Sequence, residues 1–224
     1  MIQKVSTCVR DAISKIGSSS SIFIGGFGSA GMPDRLVNAL IEQGARDLTI
    51  ISNNAGTGEE GIAALFREGL VRKIVCSFPR QRDSHHFDRR FRSGEVELEL
   101  VPQGTLAARI QAAGTGLGAV YTPTAFGTEL GEGKETRNIS GKDYVLEYAL
   151  SADFALIKAA KADRLGNLVY NKTARNFGPI MAAAGRFTIA EVDEIVSCGA
   201  LDPENIVTPG IFVQSVYFAS ENVG

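Results

Sequence analysis

Ser21-Ile-Phe-Ile-Gly-Gly-Phe-Gly-Ser-Ala-Gly-Met-Pro-Asp-Arg-Leu-Val-Asn-Ala-Leu-Ile-Glu-Gln43 changes its period partway along. The run Ser21 to Gly25 is short and apolar, as in a strand buried on both faces. From Pro33 onward Leu36, Val37, Leu40 and Ile41 recur at helical spacing, with Pro33 suited to the first turn. Gly25 to Gly31 joins the two. Buried strand, glycine turn and amphipathic helix, in that order, predict the opening crossover of a parallel sheet.

The alternation continues outward from this unit. Leu48 to Ser52, Lys73 to Phe78, Val96 to Val101 and Ala119 to Tyr121 read as further strands. Gly61 to Glu68, a stretch from Asp83, and Leu106 to Ala113 read as the helices between them. The expected fold is α/β: an open three-layer α/β/α arrangement with a mostly parallel sheet and helices on both faces. Regularity weakens later. Thr122 to Glu135 is a Gly-, Pro- and Thr-containing loop too long for a simple connector. Arg137 to Glu147 reads as a hairpin around Ser140-Gly141, Phe154 to Lys158 as a buried strand, and Ala174 to Gly185 as a small-residue helix interrupted near Pro179. With no repeat and no composition break, residues 1–224 are expected to form one domain.

Composition excludes several classes. The chain has 224 residues, 44% hydrophobic, enough to bury a core without disulfides. A formal net charge of −2 gives no footprint for nucleic acid or an anionic membrane. Cys8, Cys76 and Cys198 are far apart and lack C-x-x-C spacing, so they read as reduced thiols, with no metal use expected. No apolar run reaches the ~20 residues of a membrane helix and no signal-like start is present, so a cytoplasmic location is expected.

Gly25, Gly26, Phe27, Gly28, Ser29, Ala30 and Gly31 carry the clearest chemistry. Glycines let a backbone approach a ligand, and loop N–H groups at a helix N-terminus favour an anion or oxyanion. Gly26, Gly28 and Gly31 also satisfy the dinucleotide spacing G-x-G-x-x-G. That reading needs an acid at the end of the second strand, where Ser52-Asn53-Asn54 stands instead, and Asp47 lies before the strand. A tight turn with no ligand also remains open.

At this loop the chain resembles the 3-oxoacid CoA-transferases. The likeness continues through Leu48-Thr-Ile-Ile-Ser-Asn-Asn-Ala-Gly56, Val75-Cys-Ser-Phe-Pro-Arg-Gln81, Val101-Pro-Gln-Gly-Thr-Leu106, Thr122 to Thr128, Glu132-Gly-Lys-Glu135 and Ala174-Arg-Asn-Phe-Gly-Pro179. It implies the fold shared with certain sugar-phosphate isomerases and a ping-pong reaction through a glutamyl-CoA thioester. Coenzyme A enters as a thioester substrate, with no permanently bound cofactor. The likeness at Val75 to Gln81 implies transfer from succinyl-CoA to 3-oxoadipate, within aromatic compound degradation. By resemblance, Gly25 to Gly31 lies against the CoA thioester and Gln103 stabilises the oxyanion. The nucleophilic glutamate is expected in a Ser-Glu-Asn-Gly motif of a homologous partner subunit, in an α2β2 heterotetramer. Ser220-Glu221-Asn222-Val223-Gly224 begins like that motif but has Val223 where glycine belongs, so Glu221 is not expected to act. A short-chain acyl or acetoacetate CoA-transferase is the alternative. A sugar-phosphate isomerase would want its own carboxylate base and a phosphate clamp, and a nucleotide-sensing module is a third class.

The remaining candidates have structural readings. Glu59 and Glu60 precede a helix, where acids complement the dipole. Glu129, Glu132 and Glu135 read as a solvated loop. His85 and His86 are adjacent rather than at i, i+4, and are expected at the surface. Arg80, Arg82, Arg89, Arg90 and Arg92 accompany Phe87 and Phe91 at helical spacing, which favours a solvated amphipathic helix over a phosphate clamp, with Asp88 and Arg92 paired. Arg175 and Asn176 suit structural hydrogen bonding and catalysis equally.

Overall fold

The computed structural model describes residues 3–218. Glu221 and its neighbours therefore lie outside the described residues. The first half follows the crossover pattern: β1 (Val5–Ser6), α1 (Val9–Ile13), β2 (Ser21–Ile24), α2 (Asp34–Gln43), β3 (Leu48–Ile51), α3 (Ile62–Arg67), β4 (Val71–Cys76), α4 (His85–Arg92), β5 (Glu97–Leu100) and α5 (Gln103–Gly114). The second half contains β6 (Ala119–Thr122), β7 (Thr136–Ile139), β8 (Lys142–Tyr148), β9 (Ala152–Asp163), β10 (Leu168–Val169), α6 (Gly178–Ala184), β11 (Gly185–Val196) and β12 (Ser215–Phe218).

The main sheet runs β1-β12-β11-β9-β2-β3-β4-β5, all parallel, with β10 added antiparallel to β9. Its two faces carry separate cores. Ile13, Leu36, Val37, Leu40, Leu65, Phe66 and Phe87 bring α1 to α4 onto one face. Leu106, Ile110, Met181 and Ala182 bring α5 and α6 onto the other. Strands covered on both sides are mostly apolar, which is why Ile22-Phe23-Ile24 and Leu48 to Ile51 read so clearly. The three-layer expectation holds.

Three details differ. Ala119 to Thr122 does not extend the parallel sheet; it joins a separate antiparallel sheet of order β6-β8-β7. All four of its residues are only half-buried, so it lacks the second covered face of a central strand. Pro179 does not interrupt a helix but stands in the first turn of α6, where the missing N–H costs nothing, and Ala174-Arg175 belong to a preceding 3₁₀ turn. Pro33 similarly stands before the first helical residue, at the N-cap of α2. The hairpin is present: Ser140 at φ 53° and Gly141 at φ 81° give the two positive angles that a two-residue turn requires.

Candidate active site

β2 leads into Gly25 to Gly31 at the place where strand order reverses. From β2 the chain proceeds toward β5, whereas β9, β11 and β12 lie on the other side. Crevices at such switch points, outside the carboxyl ends of strands, are where open α/β sheets receive ligands. Gly25 N donates to Leu156 O across 2.9 Å, fixing the loop to β9. Gly31, at φ 75°, could not be replaced without moving its surroundings, since an added Cβ would stand 2.2 Å from Ala174 O. Gly28, at φ 60°, faces the opposite situation, with no atom within 4 Å of that position. Phe27 and Ala30 exchange backbone bonds, while the N–H groups of Gly28, Ser29 and Gly31 find no acceptor among the described residues. Backbone donors without a partner are what an oxyanion site can draw on.

The N-terminus of α2 is not part of that offer. Arg35 N and Leu36 N donate to Glu191 Oε2 at 3.0 and 3.1 Å. Glu191 is buried and its other oxygen meets Lys158 Nζ at 3.1 Å. The anion at this helix end is thus an internal carboxylate from β11.

Gln103 opens α5, three residues earlier than the sequence pattern suggests. Its Nε2 donates to Asn53 Oδ1 across 2.6 Å, leaving a second N–H on the same nitrogen. Asn53 follows β3, and its carbonyl accepts from Ser77 N and Phe78 N, which ties the ends of β3 and β4 together. Beside it Asn54 Nδ2, Ser77 Oγ and Thr105 Oγ1 are buried and have no hydrogen-bond partner among the described residues. Orphans of this kind are rare and concentrate where function requires them. Sequence reasoning gives Asn53 and Asn54 no role; two amides ending an apolar strand are the signal that could have found them.

Asn176 binds the glycine loop from above. Its Oδ1 accepts from Gly26 N at 3.2 Å and Phe177 N at 2.7 Å, and its Nδ2 donates to Ala30 O at 2.9 Å and to Ala174 O at 3.1 Å. It does so from φ 21°, a strained angle for a residue with a side chain. Asn176 is therefore structural support for the loop. Arg175 makes no side-chain bond to another described residue.

His85 is exposed as expected, but His86 departs from expectation. His86 is buried, and both rings reach Glu59, His85 Nε2 at 3.0 Å from Oε1 and His86 Nε2 at 2.9 Å from Oε2. The three ligand atoms lie within 4.8 Å of one another, although the histidines are not at i, i+4. The hydrogen bond from His86, with help from His85 and Arg67, holds the Glu59 carboxyl down at about 2. Glu59 therefore serves these partners rather than the dipole of α3. Glu60 stays exposed before α3. Of the arginines on and beside α4, Arg80 and Arg92 both reach Asp88, at 2.6 and 2.8 Å, and Arg82 reaches Asp83 at 4.0 Å. Arg90 bonds Phe66 O and Glu95. In the long loop Glu135 accepts from Tyr121 Oη, and Glu129 begins a short 3₁₀ turn. Cys76 is buried, which pushes its thiol up to about 12; Cys8 and Cys198 are exposed and also free.

A glycine loop with unpartnered N–H groups at the switch point is compatible with acyl transfer, and the chain belongs to the coenzyme A transferase family, whose model matches residues 7–219. It is one subunit of a heteromeric CoA-transferase. It is 62% identical over 216 residues to the A subunit of 3-oxoadipate CoA-transferase from Acinetobacter baylyi, covering 96% of this chain and 95% of that one. The corresponding Pseudomonas putida chain, of the same name, is 61% identical over 220 residues, covering 98% and 95%. In fold, glutaconate coenzyme A-transferase from Acidaminococcus fermentans superposes with a TM-score of 0.82 at 23% identity, covering 96% of this chain and 75% of that one. No helix among the described residues is long and apolar enough to cross a membrane.

Proposed function

We propose that residues 1–224 form one domain that transfers CoA from succinyl-CoA to 3-oxoadipate together with a homologous partner subunit. The observation that carries this reading is the Gln103–Asn53 amide pair beside a glycine loop with free N–H groups. Gly25 to Gly31 receives the thioester, and the second N–H of Gln103 stabilises the oxyanion as the carbonyl is attacked. The Gln103–Asn53 bond sets the direction of that N–H, and Asn176 sets the loop.

The attacking carboxylate comes from a Ser-Glu-Asn-Gly motif of the partner subunit. A nucleophile must be held on a rigid element at near-attack distance to gain the effective molarity that makes anhydride formation practicable. Glu59, which is held by two histidines and Arg67, is not placed for that role. The test is to incubate succinyl-CoA with this chain, with its partner, and with both, then trap the thioester with borohydride and map it by mass spectrometry. Label on a glutamate of the partner, in the mixture alone, is the expected result. Turnover or label on this chain by itself would overturn the assignment. A preference for acetoacetate over 3-oxoadipate in kcat/KM would return the acceptor to the short-chain class.

A further inference from the structure

A cavity of about 650 Å³ opens beside the glycine loop, with Tyr170, Lys172, Arg175, Asn176 and Glu204 among its walls. Two cations face one carboxylate there. Neither Lys172 nor Arg175 makes an ion pair or side-chain hydrogen bond with another described residue. Three arginines on and beside α4 differ: Arg80, Arg90 and Arg92 are each engaged by a nearby carboxylate. Tyr170 and Thr208 bond each other across 2.7 Å, and burial pushes the phenol up, so this wall is polar without being charged. Val169 and Val207 add apolar surface on which methylene groups can rest.

The cavity shares one wall residue with the support of the glycine loop. Asn176 lines it and also holds Gly26 N and Ala30 O. Ala174, between the two basic residues, packs so closely on Gly31 that no Cβ fits between them. Lys172 at φ 49° and Asn176 at φ 21° are both strained, and such residues gather at ligand clamps.

We propose that this cavity is the subsite for the free carboxylate at the far end of a dicarboxylic acyl group, bound by Arg175 and Lys172. The inference rests on the function proposed above and extends it to substrate selection. Succinyl and 3-oxoadipyl groups both end in a carboxylate a few bonds from the reacting carbonyl, so one subsite serves both half-reactions. The phosphates of CoA lie beyond the whole pantetheine arm and are too far from the thioester to share a pocket adjoining it. A planar guanidinium accepts a carboxylate in bidentate fashion, and a lysine adds a point charge.

The test uses the complex of both subunits, comparing wild type with Arg175→Met, Lys172→Met and Arg175→Lys. For Arg175→Met and Lys172→Met, kcat/KM for 3-oxoadipate and for succinyl-CoA should fall roughly 10- to 100-fold, the effect of removing a hydrogen bond to a charged group. Arg175→Lys should recover part of the loss. Turnover of the monocarboxylates acetoacetate and acetoacetyl-CoA should stay within about twofold, which also shows that the variants fold. Equal losses on mono- and dicarboxylic substrates, or no loss on either, would overturn the assignment. Equal rises in KM for succinyl-CoA and acetoacetyl-CoA would do so as well, by giving the cavity to the CoA phosphates. A wild-type complex inactive on 3-oxoadipate would instead reject the acceptor proposed above, and the succinyl-CoA comparison would still judge the cavity.

Discussion

Two glycine-rich turns leave adjacent strands at the same sheet edge, and they behave in opposite ways. Gly25 to Gly31 after β2 contains no charge, exposes Phe27, and keeps the N–H groups of Gly28, Ser29 and Gly31 without acceptors among the described residues. The turn from Gly56 to Gly61 after β3 is closed by the protein itself. Gly56 N reaches Asn54 Oδ1 at 2.8 Å, Ser84 Oγ reaches Gly56 O at 2.9 Å, and Gly58 N reaches Asp83 O at 3.0 Å. Its own carboxylate, Glu59, is held by His85, His86 and Arg67. Glycine content gives a turn the freedom to approach a ligand; whether it has one depends on donors left over after folding.

Matched substitutions test this contrast most severely. Gly28 at φ 60° and Gly58 at φ 67° both have open space where a Cβ would stand. Valine at either position suffers a similar backbone penalty, about 1–2 kcal/mol. Gly28→Val is expected to remove turnover by the complex below detection, because the side chain would fill the thioester's place. Gly58→Val should leave kcat within about twofold. Thermal melts of both would show equal structural damage. Comparable activity in the two variants would show that the first turn has no ligand.

Gln103→Ala is next in size. Deleting one oxyanion donor usually lowers kcat by roughly 10²–10³. A rise in KM with kcat intact would make Gln103 a binding group rather than a stabiliser of the transition state. Asn176→Gly follows. Glycine, with no Cβ, tolerates positive φ better than any other residue, so it disturbs the backbone least while the bonds to Gly26 and Ala30 vanish. The expected loss is roughly tenfold in kcat, about the weight of one or two neutral hydrogen bonds to loop geometry. An Asn176→Gly enzyme with unchanged kcat would mean that the loop holds its shape alone.

The same two turns show what is legible in sequence. Ile22 to Ile24, Leu48 to Ile51 and the helix face of Leu36, Val37 and Leu40 carry period and burial together, so the parallel crossovers are readable. β11 escapes a sequence reading because Glu191, Asp193 and Glu194 break its apolar run, and those charges answer to Lys158 and Lys161 on β9, a strand over thirty positions away. Glu191 on the N-terminus of α2, Asn176 over the glycine loop and Glu59 between two histidines are likewise long-range pairings. Local spacing carries no signal for them. The glycine loop from its residues, and Gln103 and Asn176 from the family motifs, can be named as candidates from sequence, but the groups that Asn176 and Asn53 hold cannot.

The smallest effect concerns the second turn. The Glu59 carboxyl is held at about 2, against an ordinary 4.5, first by its hydrogen bond to His86 and then by those to His85 and Arg67. A carboxyl whose folded value is depressed stabilises the fold above the unfolded value, and that contribution disappears as pH falls toward the folded value. Urea midpoints of wild type should therefore decline between pH about 4.5 and about 2, in part through this group. Glu59→Gln keeps an acceptor for one ring but cannot ionise, so its midpoints should fall less steeply over that window. At neutral pH wild type should have the higher midpoint, by a small margin because Glu59 is exposed and its pairs are screened, and the margin should close as pH falls. Parallel urea curves across the window would mean the cluster does not contribute in solution. Turnover by the complex should be the same for both at neutral pH. A large loss of kcat in Glu59→Gln would break the comparison itself, since the closed turn would then belong to the site.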